Sequence, residues 1–154
     1  MPQRPIDLSK MTLPEIFSHI SELKATERKT AIVTIARLVP QVKELLRLNF
    51  NKSIVFDLPK GNPPYTPLNI PDNFGYNRLR SEMRKFKYFF VSSSPNLKQI
   101  KRESIFIELL ESVSQEEAEL VIAIKDKKLK YKGITRKLIE DTMPEIFEGE
   151  DLGK

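Results

Sequence analysis

S-Q-E-E-A-E-L-V-I-A-I-K-D-K-K-L-K-Y-K-G-I-T, Ser114 to Thr135, is the stretch on which the reading of this chain turns. Ser114 with Glu117 three residues on is a capping box, and Val113 and Ala118 are placed as its hydrophobic staple. Ala118, Val121, Ile122 and the stem of Lys125 then share one helical face, and the helix is expected to end near Leu129. Gly133 permits a turn through positive φ. Thr135 opens a last helix with Leu138, Ile139 and Met143, stopped before Pro144. Helix, turn and helix at this spacing make the C-terminal third all-α.

The turn is also where charge collects. Lys125, Lys127, Lys128, Lys130 and Lys132 stand against one acid, Asp126, and Arg136 and Lys137 follow the glycine. Lysines spaced through a loop can each approach a phosphate. The backbone N–H groups after Gly133 and the Thr135 hydroxyl add donors for a phosphate oxygen. Tyr131, between two lysines, is suited to packing on a sugar or stacking on an exposed base. Such contacts position a protein on nucleic acid and read little sequence.

The same periodicity extends toward the N-terminus. Met1 to Met11 reads as an irregular arm. Thr12 and Glu15 form another capping box before Leu13, Ile16, Phe17, Ile20 and Leu23. Thr26 is expected to begin a second helix on Ala31, Ile32, Ile35, Leu38 and Val39. Pro40 suits the first turn of a third, with Val42, Leu45, Leu46 and Phe50 buried. Residues 51–76 hold five prolines and two glycines and cannot be a long helix, yet Ile54, Phe56, Leu58 and Tyr65 are too apolar for a free linker. An ordered proline-rich loop over the bundle surface is expected there, with Ser53 to Leu58 as a short strand or extended strip. Asn77 is a candidate cap for a helix bearing Leu79, Met83, Phe86 and Phe90. Arg78, Arg80, Arg84, Lys85 and Lys87 crowd its other sides. Ser94 and Pro95 read as the cap and first position of a long helix on Leu97, Ile100, Ser104, Ile107 and Val113, widened by Phe106, Leu109 and Leu110.

The fold class expected is therefore all-α, a compact bundle of about seven helices with one long ordered proline-rich loop. Residues 1–147 form a single helical domain, and 148–154 an acidic flexible tail. The length of 154 residues, 40% apolar and 31% charged, suits one domain with a real core. The net charge is +5, but residues 140–154 carry −5, which leaves +10 on the other 139. A body this basic attracts polyanions.

Catalytic patterns are missing. There is no P-loop, G-x-G-x-x-G, H-E-x-x-H or G-x-S-x-G, one histidine (His19) and no cysteine. Glu116, Glu117 and Glu119 diverge around a helix start and read as electrostatic complements to it rather than as metal ligands. No enzyme activity, cofactor or metal is expected, and no stretch is apolar and long enough to span a bilayer.

Leu120 to Phe147 resembles the end of the helical N-terminal DNA-binding domain of ATP-dependent DNA ligases, where a helix, a basic turn, a glycine, a short helix and a proline follow in similar order. Ile16 to Ile32 is similar to the opening of that domain in T-even-type phage ligases. The K-x-D-G adenylation motif is absent, so the resemblance implies DNA binding without ligation, at Lys130, Lys132, Gly133 and Thr135. The combination N-P-P-Y-T-P, N-R-L-R-S-E, S-P-N-L-K-Q-I-K-R-E and A-I-K-D-K-K-L-K-Y-K-G-I-T resembles a family of small uncharacterised proteins of T-even-like phages, and covers most of the chain. These resemblances imply a non-catalytic phage protein in the host cytoplasm or the virion, bound to DNA or docked to replication or packaging machinery. The expected contact set is Lys125, Lys127, Lys128, Lys130, Tyr131, Lys132, Gly133, Thr135 and Arg136, with Arg78, Arg80, Arg84 and Lys85. The rival reading is an adaptor or virion component whose basic surface meets an acidic protein.

Overall fold

Two capping boxes set the frame as expected. The computed structural model describes residues 7–67 and 78–150. Helix α1, Leu13–Glu22, starts where the Glu15 N–H donates to Thr12 Oγ1 at 3.3 Å and the Thr12 N–H donates to Glu15 Oε1 at 2.8 Å. It buries Leu13, Ile16, Phe17 and Ile20, the i, i+3, i+4, i+7 face of an amphipathic helix. Helix α2, Ala25–Leu38, starts one residue before the expected Thr26, and α3, Pro40–Phe50, follows with its proline in the first turn.

The extended strip reading of Ser53 to Leu58 holds, and no strand occurs among the described residues. The Asp57 N–H donates to the Phe89 carbonyl at 2.9 Å, and Phe56 sits against Phe86, Phe89 and Phe90 at 4.8–6.3 Å between ring centroids. The remainder of the loop from Leu68, with the Asn77 cap, lies outside the described residues.

Two elements depart from the sequence reading. The expected single helix after Asn77 is a short α4, Leu79–Glu82, that tightens into a 3-10 helix over Met83–Phe89. Three residues per turn align Met83, Phe86 and Phe89, so Phe89 is buried in place of Phe90. The long helix α5 runs over Gln99–Ser112 and does not start at Ser94 and Pro95. Ser94 is used otherwise: its hydroxyl donates to the Phe90 carbonyl and accepts from Arg102. Arg102 is 2% exposed, whereas Ile100, expected inside, is 80% exposed. The buried stripe is Arg102, Phe106, Leu109, Leu110 and Val113. Its first position is polar because Arg102 spends its five N–H donors on oxygens: Gln99 Oε1, the Tyr88, Ser94 and Leu97 carbonyls, and Ser94 Oγ, at 2.6–3.2 Å. The guanidinium replaces the water that the 88–97 turn would otherwise need.

Helix α6, Gln115–Lys125, packs against α1, α3 and α5 and is the centre of the bundle. Helix α7, Arg136–Thr142, lies on α2, and a 3-10 turn over Pro144–Phe147 returns Ile146 to the core beside α3. Seven α-helices are present among the described residues, so the domain is an all-α bundle. Glu148 to Glu150 is not detached from it, unlike the flexible tail expected from residue 148. Asn51 Nδ2 donates to the Ile146 and Glu148 carbonyls, and Glu150 pairs with Arg136. Three acids with few apolar neighbours over 148–154 suggested a frayed end, but Arg136 sits within reach only once the chain has folded.

Glu117 joins two elements. One carboxylate oxygen caps α6 through the N–H and hydroxyl of Ser114, and the other accepts the Leu79 N–H at 3.0 Å where α4 begins. Glu117→Ala removes a cap and strands a buried donor, each worth about 1–2 kcal/mol, so a loss of roughly 2–4 kcal/mol is expected. Chemical denaturation of this variant beside Glu116→Ala measures it; the exposed neighbour should change stability by about 0.5 kcal/mol or less.

Candidate functional site

The lysine loop begins earlier than periodicity implied. Helix α6 stops at Lys125, four residues before Leu129. The Lys127 N–H donates to the Ile124 carbonyl at 3.1 Å and the Lys128 N–H to the Ala123 carbonyl at 2.8 Å. This is the paired closure of a Schellman end. Its left-handed position, usually glycine, is Lys127 at φ 58°.

That backbone turn aims the first part of the cluster inward. Lys125 Nζ donates to the Pro59 and Gly61 carbonyls at 2.6 and 3.2 Å and pairs with Asp126 Oδ1 at 2.6 Å. Asp126 Oδ2 accepts the Gly61 N–H at 3.0 Å, so the pair fastens the proline-rich strip to α6. Lys127 Nζ donates to the Leu48 and Asn51 carbonyls at 2.7 and 2.8 Å, closing the C-terminal end of α3. Burial pulls this ammonium down to about 8, against the opposing pull of the Glu150 carboxylate. Arg136 donates to the Phe50 carbonyl at 2.9 Å, pairs with Glu140 and Glu150, and lies 4.4 Å over the Phe147 ring. Its hydrogen bonds to Glu150 hold its pKa above the usual arginine range. The expected phosphate ligands Lys125, Lys127 and Arg136 are thus engaged within the fold.

Gly133 and Thr135 are also explained locally. Gly133 has φ 79°, and a Cβ there would lie 2.2 Å from Arg28 Nη1. Arg28 sits there because it donates to the Ile20, Ser21 and Leu23 carbonyls at the end of α1. Thr135 Oγ1 accepts the Leu138 N–H at 3.2 Å, capping a helix of seven residues. The Leu138 N–H, one of the helix donors expected for a phosphate, is thereby occupied.

Lys128, Lys130 and Lys132 differ. Leu129 and Tyr131 are half-buried and the three lysines exposed. Their ammonium groups form no ion pair or hydrogen bond among the described residues, and Lys132 lies in a turn closed by the Ile134 N–H donating to the Tyr131 carbonyl at 3.1 Å. Tyr131 stacks on Phe17 with centroids 5.4 Å apart.

The arginine group lies at the other end of α6. Leu79 meets Glu117 there, eight residues from Lys125, or about 12 Å of helical rise. Arg78 donates to the Ser9 carbonyl, and Arg80 to those of Leu8 and Met11. Burial lowers the Arg80 pKa. Lys85 pairs with buried Glu82 at 2.7 Å, which leaves Arg84 as the exposed, unpaired member of this set among the described residues.

Between the two ends runs a groove of about 1000 Å³, bounded by α1, α6, the lysine loop and the Gly61–Tyr65 strip. Tyr65, Glu116, Glu119, Lys128, Lys130 and Tyr131 line it. Burial, and next the Glu119 carboxylate, push the Tyr65 hydroxyl up; burial, then Glu116 and Glu119, do the same to Tyr131. Both hydroxyls therefore stay protonated at neutral pH. Sequence reading missed this groove because its walls come from three segments, the first ending 43 residues before the second and the second 50 before the third, with no shared local pattern. Among the described residues no three His, Asp or Glu side chains form a metal-ligand group, and no helix is long and apolar enough to cross a membrane.

The chain belongs to DUF6433, a family of unknown function whose model matches residues 16–131. The match runs from Ile16 in α1 through the lysine loop to Tyr131, and so takes in Lys128, Lys130 and both groove tyrosines. Comparison with curated proteins and with solved structures finds no match. These findings lend no support to the expected likeness to ligase domains or to phage proteins.

Two measurements separate the roles of these groups. Lys127→Gly suits the left-handed backbone, whereas Lys127→Ala does not, so the glycine variant should be the more stable of the two by about 1 kcal/mol. Both should melt below the wild type because the Leu48 and Asn51 carbonyls lose their donor. Thermal melts followed by circular dichroism test the order. Glu150 adds a pH dependence. Its hydrogen bonds to Arg136 hold its carboxyl below the usual range. The folded value is depressed, so this stabilisation is present above the ordinary glutamate pKa of about 4.3 and is lost as pH falls through the folded value. The melting temperature should drop in acid more steeply for wild type than for Glu150→Gln.

Proposed function

We propose that this protein binds nucleic acid, duplex DNA included, without reading sequence along the backbone, through the row Lys128, Lys130 and Lys132. The observation that carries this reading is the separation of the cluster into two kinds of lysine. Lys125 and Lys127 are spent on carbonyls, while the other three are exposed and unpaired among the described residues. Three exposed, unpaired ammonium groups within five residues suit neighbouring phosphates of one backbone. Lysine meets phosphate as a flexible point charge and lacks the planar fork that reads guanine in the major groove. Lys137, in the first turn of α7, is also exposed. The phage resemblance would place this activity in an infected bacterial cytoplasm or in a virion, beside replication or packaging machinery.

A second reading, an adaptor for a protein partner, is favoured by one observation. An apolar groove of about 580 Å³ runs between α1 and α2, lined by Leu8, Leu23, Ala31, Ile35 and Leu38, and Leu38 is 65% exposed.

Fluorescence anisotropy over a salt series tests the first reading. Three neutralised phosphates give a slope of log K on log salt near −3 for duplex DNA, since each contributes about −0.9. Alanine at Lys128, Lys130 and Lys132 together should flatten the slope and leave melting nearly unchanged. Lys125→Ala should do the reverse, lowering the melting temperature with the slope retained. No binding to any DNA or RNA at low salt would leave the adaptor reading in front.

A further inference from the structure

We infer that the groove along α6 takes a single unpaired nucleotide, with its phosphate on Lys128 and Lys130 and an amino-bearing base edge at Glu116 and Glu119. The inference rests on the proposed backbone contact and adds to it a preference for single strands and for the base at one position.

Three features carry it. The first is that the groove is pre-built. The strip crossing it is pinned on one side of Tyr65 by the Gly61 contacts with Lys125 and Asp126, and on the other by the Thr66 N–H, which donates to Glu111 Oε2 at 2.8 Å. A base entering there does not have to order the strip first.

The second is an aromatic wall that holds its position. Tyr131 has one face fixed on Phe17, at a 23° interplanar angle, and Tyr65 is half-buried. Ring surfaces of this kind accept a base once it has left its stack. A base held in a duplex cannot reach such a wall, so the groove favours single-stranded or locally opened nucleic acid.

The third is polarity. The lysine end attracts phosphate, whereas Glu116 and Glu119 repel it and accept hydrogen bonds. An occupant must therefore be anionic at one end and a donor at the other. Guanine presents two adjacent donors, its ring N–H and exocyclic amino group, to a single carboxylate. Cytosine and adenine offer an amino group, and thymine has none. A bare phosphate or a uniformly anionic chain does not match both ends.

The test uses the full chain and fluorescently labelled thymidine decamers with one central guanine, adenine or cytosine, beside the all-thymidine strand and a duplex of equal length. A bidentate carboxylate–base contact is worth about tenfold in discrimination, so the guanine strand should bind roughly ten times tighter than all-thymidine. Glu116→Gln and Glu119→Gln should shrink that ratio toward one even if loss of negative charge raises affinity for every strand. Tyr65→Ala should weaken single strands several-fold more than duplex, and Tyr65→Phe should restore them. Equal affinity for all four strands, or a guanine preference untouched in both glutamine variants, overturns the groove assignment while the lysine row stands. Binding of no strand and no duplex at low salt overturns both.

Discussion

Buried backbone carbonyls at the ends of helices and in turns need donors, and this chain supplies them with cationic side chains. Arg28 closes α1, Lys127 closes α3, and Arg102 holds the turn before α5. Lys125 holds the proline-rich strip, Arg80 the N-terminal turn, and Arg136 the return of the chain after α7. Helix C-termini carry partial negative charge, so a cation there is favoured twice, as donor and as charge. A cation used this way can do without an ion-pair partner, as Arg102 does among the described residues, because several carbonyl oxygens replace its hydration.

That constraint changes what the basic composition means. A net charge of +5 suggests a surface prepared for polyanions. A substantial part of the positive charge is instead committed to joining elements. The lysine loop is both a structural junction and an exposed edge: its first two lysines tie α6 to the proline-rich strip and to α3, and its last three face solvent. One segment can serve both purposes because the left-handed turn at Lys127 rotates the chain between them.

Helix α6 carries this division along its length. Its N-terminal Glu117 starts α4, its apolar residues meet α1, α3 and α5, and its last residue fastens the strip. The same helix forms the floor of the groove, so the groove's geometry is held by the most enclosed element of the fold. Glutamates at one end and lysines at the other arise from a helix start that favours acids and a helix end that favours bases. The polarity proposed for recognition is thus continuous with the electrostatics that stabilise the helix.

Helical class, both capping boxes, the three N-terminal helices and the extended strip were legible in the sequence because each depends on neighbours within about four residues. Sequence periodicity also marked Gly133 as a turn and Thr135 as a cap. It could not show that Gly133 leaves room for Arg28, more than 100 residues away, or that Ser94 serves Arg102 rather than a helix start. Nor could it sort five adjacent lysines into buried donors and free cations. Charge and spacing are local properties, but the partner of a lysine is set by which carbonyl the folded chain brings within 3 Å. Leu48, Asn51 and Pro59 reach the loop only through tertiary packing, and that packing alone decided which of the cations remain to meet a ligand.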